Sequence, residues 1–408
     1  MSGSMRFCMV TTFYPPYHFG GDATFVQSLA RALVREGHHV EVVHCEDAFR
    51  IRSQHPPHDL EHGDGVVVHR LRSRFGMLSP LITQQTGMPG LKAGPLRRIL
   101  EHPFDVVNFH NISLVGGPAV LMMSRAPVTL YTVHEHWLMC PAHILWKNRQ
   151  RACDRPQCLT CSIRSGIPPQ LWRYGGLVTK GLAHVDAVLA PSDFTARRHE
   201  SLESDVPIHV LPTFSDLDPG PIVPAVESDR PRFIFVGRVT ASKGIALLLE
   251  EWASLPMFDI DVVGDGDLRA ELQERYRGCA HIRFLGQLPQ QSLTRLYQGA
   301  TALVLPSLAP EVFPLTIVEA MACGTPAIVH EAGGSREAID RTGGGMVYRT
   351  RQGLRDAVNA LAQDRNLRKA VGERARVGFE QFYTRQRYLA EYLDLIADIG
   401  RRKRMAAR

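Results

Sequence analysis

No run of apolar residues approaches the roughly 18 needed to cross a bilayer as a helix, so a membrane-spanning chain is excluded. The leading MSGSMRFCMVTTFYPP lacks a charged stretch followed by an apolar one of export-signal length, which predicts a cytoplasmic protein. Charge of one sign is also scarce: 47 Lys and Arg face 41 Asp and Glu, a net +6 over 408 residues. That excess is too dilute for nucleic-acid binding but permits anionic ligands or lipid headgroups. The G-x-G-x-x-G fingerprint is missing from the first strand-to-helix turn, so Glu46-Asp47 after the second strand support no dinucleotide, and no redox cofactor is expected. With 44% hydrophobic and 22% charged residues, the chain has the composition of a folded globular protein.

What is present is a rhythm that occurs twice. Runs at Met5–Thr12, Val40–Cys45, Val66–Arg70, Asp105–His110, Pro127–His134 and Ala187–Pro191 predict strands separated by helical patterns. Between the first two, Phe25, Val26, Leu29, Ala32 and Leu33 stripe a helix over Ala23–Glu36 that Gly37 terminates. Near-continuous apolar strands interleaved with amphipathic helices predict a parallel sheet covered on both faces. The five prolines of residues 212–231 break the pattern and read as a linker. The alternation restarts at Arg232–Val239, Ile260–Val263, Ile282–Leu285, Ala302–Pro306, Ala327–His330 and Met346–Tyr348. The expected fold is α/β, two Rossmann-like doubly wound parallel-sheet domains facing across a cleft, with ligands at the carboxyl ends of the strands.

Three glycine turns fall at such strand ends. Gly20-Gly21 could bring backbone close to a ligand at a helix N-terminus, with Asp22 as the cap; a plain strand-to-helix turn is an equal reading. Gly237-Arg238 end the first strand of the second half, and Lys243-Gly244 open the next helix. An Arg and a Lys so spaced can converge on one diphosphate with a helix dipole behind them. Gly333-Gly334 offer a third approach. Asp265 and Asp267, in a Gly-Asp-Gly-Asp run, read as turn and capping residues rather than metal ligands.

The stretch from Pro306 to Val329 is the most informative. Pro314 disfavours helix at Phe313, which places Glu311 in a loop and starts a helix at about Pro314 or Leu315. Glu319 falls about one turn into that helix, and Gly324-Thr325-Pro326 end it. Two carboxylates on different elements suit hydroxyl-rich ligands such as a hexose and a ribose.

E-x7-E after Pro306-Ser307, together with VGRVTASKG at 236–244, FYPPYHFGG at 13–21 and TVHEHW at 132–137, resembles the retaining glycosyltransferases of family four. The resemblance runs from about Met5 to Tyr392. It implies the GT-B fold: an acceptor domain over 5–211, a linker over 212–231, a nucleotide-sugar domain over 232–380 and a helix over 381–400 packing back on the first domain. It implies transfer of a hexose from a UDP- or GDP-linked sugar to a carbohydrate, lipid-linked or small-molecule acceptor, with retention and without a catalytic divalent metal. Arg238 and Lys243 would hold the diphosphate, Glu311 the donor sugar and Glu319 the ribose. Gly20, Gly21 and Gly237 would pack close to the donor, and the N–H groups of Phe313, Leu315 and Thr316 would contact sugar or phosphate. Pro314 stands where the family often has Gly, which removes one such N–H. His134 would sit at the anomeric centre; His136 reads as structural. Tyr17-His18-Phe19 before the glycine pair disfavour glucan elongation. Rival readings on the same scaffold are a nucleotide-sugar 2-epimerase and a non-catalytic nucleotide-binding protein. The intact set Arg238, Lys243, Glu311 and Glu319 argues against the latter.

Of the eight cysteines, Cys8, Cys45, Cys279 and Cys323 read as buried thiols. Cys140, Cys153, Cys158 and Cys161 form C-x12-C-x4-C-x2-C, which favours a closed structural zinc site over disulfides and leaves reduced loop thiols as the alternative. They would pin an insertion over 140–166. Residues 71–100 mix Arg, Met, Leu and Gly with a helical pattern only near Leu96–Leu100, and could meet a membrane face peripherally or be plain surface loop. Arg401–Arg404 read as a frayed basic tail.

Overall fold

A computed structural model of the chain describes residues 3–51, 53, 64–202, 204–217, 220 and 230–406. Much of the proline-rich stretch 212–231 lies outside them, at 218–219 and 221–229. The chain forms two compact units: one comprises residues up to Ile144, Pro156–Thr213 and everything from Arg385 on, the other Leu145–Arg155 and Phe214–Thr384.

The first unit is built on seven parallel strands: β1 (Arg6–Val10), β2 (His39–Cys45), β3 (Val67–Leu71), β4 (Val106–Phe109), β5 (Val128–Thr132), β6 (Ala187–Ala190) and β7 (Ile208–Val210), in the order β3-β2-β1-β4-β5-β6-β7. Phe7 pairs with Val40 on one side and Val106 on the other. The order reverses between β1 and β4, which opens a crevice at their carboxyl ends. Strands β4, β5 and β6 are buried along their whole length, as strands covered on both faces must be. β7 is three residues long, too short for a periodicity signal, and the sequence pattern does not reveal it.

The helix Gly21–Arg35 buries Phe25, Val26, Leu29 and Leu33. Its N-cap is Gly20, with no side-chain cap, so Asp22 is not the cap that the sequence suggests. Asp22 lies in the first turn and accepts from Asn111 Nδ2 at 3.1 Å instead. Residues 71–100 hold two helices, Leu78–Thr86 and Ala93–Leu100; the first has a weak apolar stripe and is invisible to a pattern search.

The last helices are Arg365–Phe382 and Arg385–Ala406, broken at Tyr383-Thr384 rather than running through as one segment. The second packs in the first unit, and its basic end is not frayed: Lys403 Nζ reaches Asp186 at 2.7 Å and donates to the Pro127 carbonyl at 2.8 Å. Tyr392, fully buried, accepts a hydrogen bond from Asn108 Nδ2 at 3.1 Å, while Thr132 Oγ1 donates to Asn108 Oδ1 at 3.0 Å. Tyr392→Phe should therefore strand a buried amide N–H and lower unfolding free energy by about 1–3 kcal/mol in urea titration; no change would mean that Asn108 finds another acceptor.

The second unit holds six parallel strands: β8 (Arg232–Val236), β9 (Asp259–Val263), β10 (Ile282–Gly286), β11 (Ala302–Leu305), β12 (Ala327–His330) and β13 (Gly345–Tyr348), ordered β10-β9-β8-β11-β12-β13. Side chains alternate across β8 as strand geometry demands. Phe233 and Phe235 enter a core with Leu248, Trp252 and Val358, and Ile234 and Val236 enter a second core with Ile317, Met321 and Phe379. Again the order reverses between the first strand and its far neighbour, here β8 and β11. No helix among the described residues is long and apolar enough to cross a membrane.

Candidate active site

In the second unit the carboxyl ends of β8, β11 and β12, adjacent in the sheet, bring the polar residues together. Gly237-Arg238 follow β8, and a short turn, Ala241–Lys243, carries Lys243. The segment after β11 carries Ser307 and Glu311. The two segments are tied by backbone: the N–H groups of Leu308 and Ala309 both donate to the Ser242 carbonyl, at 2.9 and 3.0 Å. Gly244 makes that approach possible. Its φ is +69°, and a Cβ there would stand 2.0 Å from the Pro306 carbonyl oxygen. The turn after β12 closes on the same place, with Gly334 N–H donating to the Glu311 carbonyl at 2.7 Å. A Cβ on Gly333 would lie 2.4 Å from the Glu311 backbone.

Within this cradle Lys243 Nζ pairs with Glu311 Oε1, and Ser307 Oγ donates to the same oxygen at 2.6 Å. Burial alone would raise the Glu311 carboxyl. Lys243, by charge and hydrogen bond, then Ser307 and the charge of Arg238 outweigh it and hold the group below its ordinary range. Arg238 is exposed and so open to a ligand.

Glu319 behaves in the opposite way. It lies in the helix Leu315–Ala322, whose N-cap is Pro314, as Pro314 itself predicts. Tyr297 Oη donates to Glu319 Oε2 at 3.0 Å, but burial dominates and pushes the carboxyl up to about 7. Leu315 and Thr316 lie in the first turn, where N–H groups lack intrahelical partners. Phe313 turns its ring onto Tyr383, centroids 5.5 Å apart. The Gly-Asp-Gly-Asp turn is structural: Asp265 Oδ1 accepts from Gly266 N–H at 2.8 Å, and Gly264 abuts the Gly237 carbonyl.

The first unit gathers its polar residues at the matching place, the carboxyl ends of β1, β4 and β5. His134 follows β5, and its Nε2 lies 2.9 Å from Nδ1 of His110, which follows β4. The Phe25 ring packs 5.4 Å from His134. Burial lowers the pKa of both imidazoles; for His110 the neighbouring His134 lowers it further, while Asp22 and Glu135 oppose the shift at His134. At neutral pH the two rings therefore share a hydrogen bond between uncharged imidazoles, one nitrogen donating and one accepting. Gly20 and Gly21 stand at the helix start after β1.

Sequence reasoning missed His110, Ser307 and Tyr297. His110 was within reach, because it ends an apolar strand as His134 does. Tyr297 carried no local signal, being 22 residues from the carboxylate it serves.

His136 is fully buried, its ring stacked 5.8 Å from His199. Burial brings His136 down to about 3 and His199 to about 4. An unfolded chain would protonate both near 6.5, so their contribution is present above that pH and lost as pH falls. We expect about 2 kcal/mol per ring to disappear between pH 6.5 and 4.5. His136→Phe should remove about half of that acid sensitivity in melts across the range, and parallel losses in variant and parent would refute the assignment.

The zinc expectation does not hold. Among the described residues no group of three or more His, Cys, Asp or Glu side chains is placed to hold a metal ion. Cys158 and Cys161 lie on the short helix Cys158–Arg164, Cys140 is buried, and Cys153 falls in the segment that belongs to the second unit.

Two Rossmann-like units, each with polar residues at its switch point, are the GT-B fold, and solved structures share it. Sucrose-phosphate synthase from Thermosynechococcus elongatus superposes with a TM-score of 0.75 over 99% of this chain and 100% of its own, at 19% identity. HepE of Anabaena, in complex with UDP and glucose, does so with a TM-score of 0.69 over 97% and 100%, at 17% identity. The profile described as Glycosyltransferase Family 4 matches residues 19–219, and that described as Glycosyl transferases group 1 matches residues 222–377. The chain belongs to this family and is a glycosyltransferase. An uncharacterized glycosyltransferase of Methanocaldococcus jannaschii is 24% identical over 82% of this chain and 83% of its own. Glycogen synthase of Mycobacterium tuberculosis is 27% identical over 88% and 86%.

Proposed function

We propose that the protein moves a hexose from a UDP- or GDP-linked sugar to a hydroxyl of a carbohydrate, lipid-linked or small-molecule acceptor, with retention of anomeric configuration, in the cytoplasm. The observation that carries this reading is the Lys243–Glu311–Ser307 constellation beside Arg238. Two cations at one strand–helix turn suit a diphosphate, and a carboxylate held ionised next to them suits sugar hydroxyls. The HepE complex with UDP and glucose supports the donor class.

In this reading Arg238 and Lys243 bind the diphosphate and stabilise its charge as it leaves. Glu311 orients the sugar and Glu319 accepts from the ribose hydroxyls. Gly20, Gly21 and Gly237 allow close backbone approach, and N–H groups of Phe313, Leu315 and Thr316 meet phosphate or sugar. The bond from the anomeric carbon to the diphosphate oxygen breaks, and the acceptor oxygen bonds on the same face. The acceptor's proton passes to the departing diphosphate. His134 lines the reacting sugar, and the chemistry calls on no divalent metal. The unit boundary at Thr213–Phe214 separates acceptor and donor roles, and the helix from Arg385 belongs with the acceptor side.

Thermal denaturation with saturating UDP, GDP, ADP, dTDP or NAD tests the donor. Stabilisation by UDP or GDP alone supports the reading and chooses the base. Stabilisation by NAD alone overturns it. Release of free sugar or a C2 epimer without acceptor would transfer the reading to the epimerase class.

A further inference from the structure

The first unit carries a surface on which charge and exposed apolar side chains coincide. Residues 71–100 and 156–185 contain Arg72, Arg74, Lys92, Arg97, Arg98, Arg164, Arg173 and Lys180 and not one Asp or Glu, in a chain whose two signs otherwise nearly balance. Ten of the 19 exposed large hydrophobic residues among the described residues fall in these two segments. That concentration is unlike the scatter of single apolar residues normal on a soluble surface.

The two segments are neighbours in space. Trp172 Nε1 donates to the Gln84 carbonyl at 2.8 Å, joining the turn Leu171–Tyr174 to the helix Leu78–Thr86. A Cβ on Gly87 would touch Trp172 and Leu177 at 2.8 and 2.7 Å, so the close packing continues past that helix. On the other side of the turn, Tyr174 and the helix Cys158–Arg164 line an open groove of about 540 Å³.

The side chains presented are those of an interfacial surface. Leu171 and Tyr174 are 67% and 68% exposed, Ile163 63%, and Met77 57%. The helix Ala93–Leu100 turns Leu96 and Leu100 inward and leaves Arg97 and Arg98 in solvent. Lys92 and Arg173 are not part of the free charge: Lys92 is buried, its Nζ donating to the Ser79 carbonyl at 3.1 Å and to Thr83 Oγ1 at 2.8 Å, and Arg173 packs on the rings of Trp137 and Trp172, at 4.9 and 4.6 Å, beneath the turn.

We propose that this face docks on an anionic lipid bilayer, apolar side chains entering the headgroup layer and the arginines meeting lipid phosphates. A protein partner would need matched acidic groups and a dense apolar core. A bilayer needs only dispersed apolar anchors and cations of one sign, and that is what the face offers. The inference names the surface at which the transferase works, and it is independent of donor and base.

The test is flotation of the full chain, without donor or acceptor, on vesicles of phosphatidylglycerol and phosphatidylcholine and on phosphatidylcholine alone. Binding is expected on the anionic vesicles at 50 mM salt (about this ionic strength), falling at least about tenfold near 500 mM as screening sets in. Arg97→Glu with Arg98→Glu should weaken binding by about 25-fold or more, given about fivefold per cation near such a surface. Leu171→Ser with Tyr174→Ser should weaken it on anionic vesicles while leaving UDP- or GDP-induced thermal stabilisation unchanged, which separates this proposal from the donor assignment. No flotation at low salt, equal flotation on neutral vesicles, or indifference to both pairs of substitutions would overturn the proposal. So would concentration-dependent self-association that the Leu171 and Tyr174 substitutions abolish, since the face would then be an interface between copies.

Discussion

Lys243→Met is expected to lower kcat by about 10²–10³-fold, the usual loss when one preorganised charge that stabilises a leaving group is removed. Lys243 also holds Glu311 ionised; without it, burial raises that carboxyl. Stability should therefore fall, by about 1–2 kcal/mol for a pair that keeps some solvent access. A depressed carboxyl contributes above its unfolded pKa and loses its contribution as pH falls through its folded value. The stability difference between parent and variant should accordingly narrow in acid, below the ordinary carboxylate range near 4.5. Adding Glu311→Gln to Lys243→Met removes the stranded charge and should restore stability without restoring turnover. Turnover of Lys243→Met within threefold of the parent would remove Lys243 from the reaction.

Glu319 yields the second large effect. Its carboxyl, raised to about 7 against an ordinary 4.5, is protonated in part of the unliganded protein at neutral pH. A raised acid contributes stability below its unfolded pKa and loses it as pH climbs through the folded value. The unliganded protein should thus weaken by about 2 kcal/mol between pH 4.5 and 7.5 on account of this one group, after allowance for its partial exposure. Glu319→Gln keeps the partner of Tyr297 and should abolish that slope, leaving the variant more stable than the parent at pH 8. Donor binding should move the other way. If ribose hydroxyls donate to the carboxylate, donor affinity rises with pH through 7, and Glu319→Gln flattens the profile while lowering affinity by about tenfold or more. Calorimetry of UDP or GDP binding at pH 6 and 8 decides the matter: a pH-independent affinity in the parent would remove Glu319 from the donor site.

Both effects rest on pairs that a sequence pattern registers unequally. Arg238, Lys243, Glu311 and Glu319 were legible because each stands at a strand end or helix start, where β-branched runs, Gly244 and Pro314 leave local marks. The environments of the two glutamates were not. One is held ionised and the other half-protonated, and the difference lies in which side chain reaches each: Lys243 and Ser307 for Glu311, Tyr297 for Glu319. The cysteine cluster marks a failure of the opposite kind. Its spacing suggests a closed metal site, yet spacing along a chain does not bring four sulfurs to one point.

The amino-acid sequence by itself determined that this protein has two sets of parallel strands, all but the short β7, and that Arg238 and His134 stand at strand ends and Lys243 at a helix start. Hydrophobic period and turn chemistry are local, and neighbouring residues are enough to express them. Only the tertiary structure decided that His110 lies against His134, that the last helix completes the first unit through Tyr392 and Lys403, and that segments 71–100 and 156–185 make one face. Those relations depend on sheet order and on packing between residues far apart in the chain, where desolvation and direct contact, rather than local propensity, set charge and position.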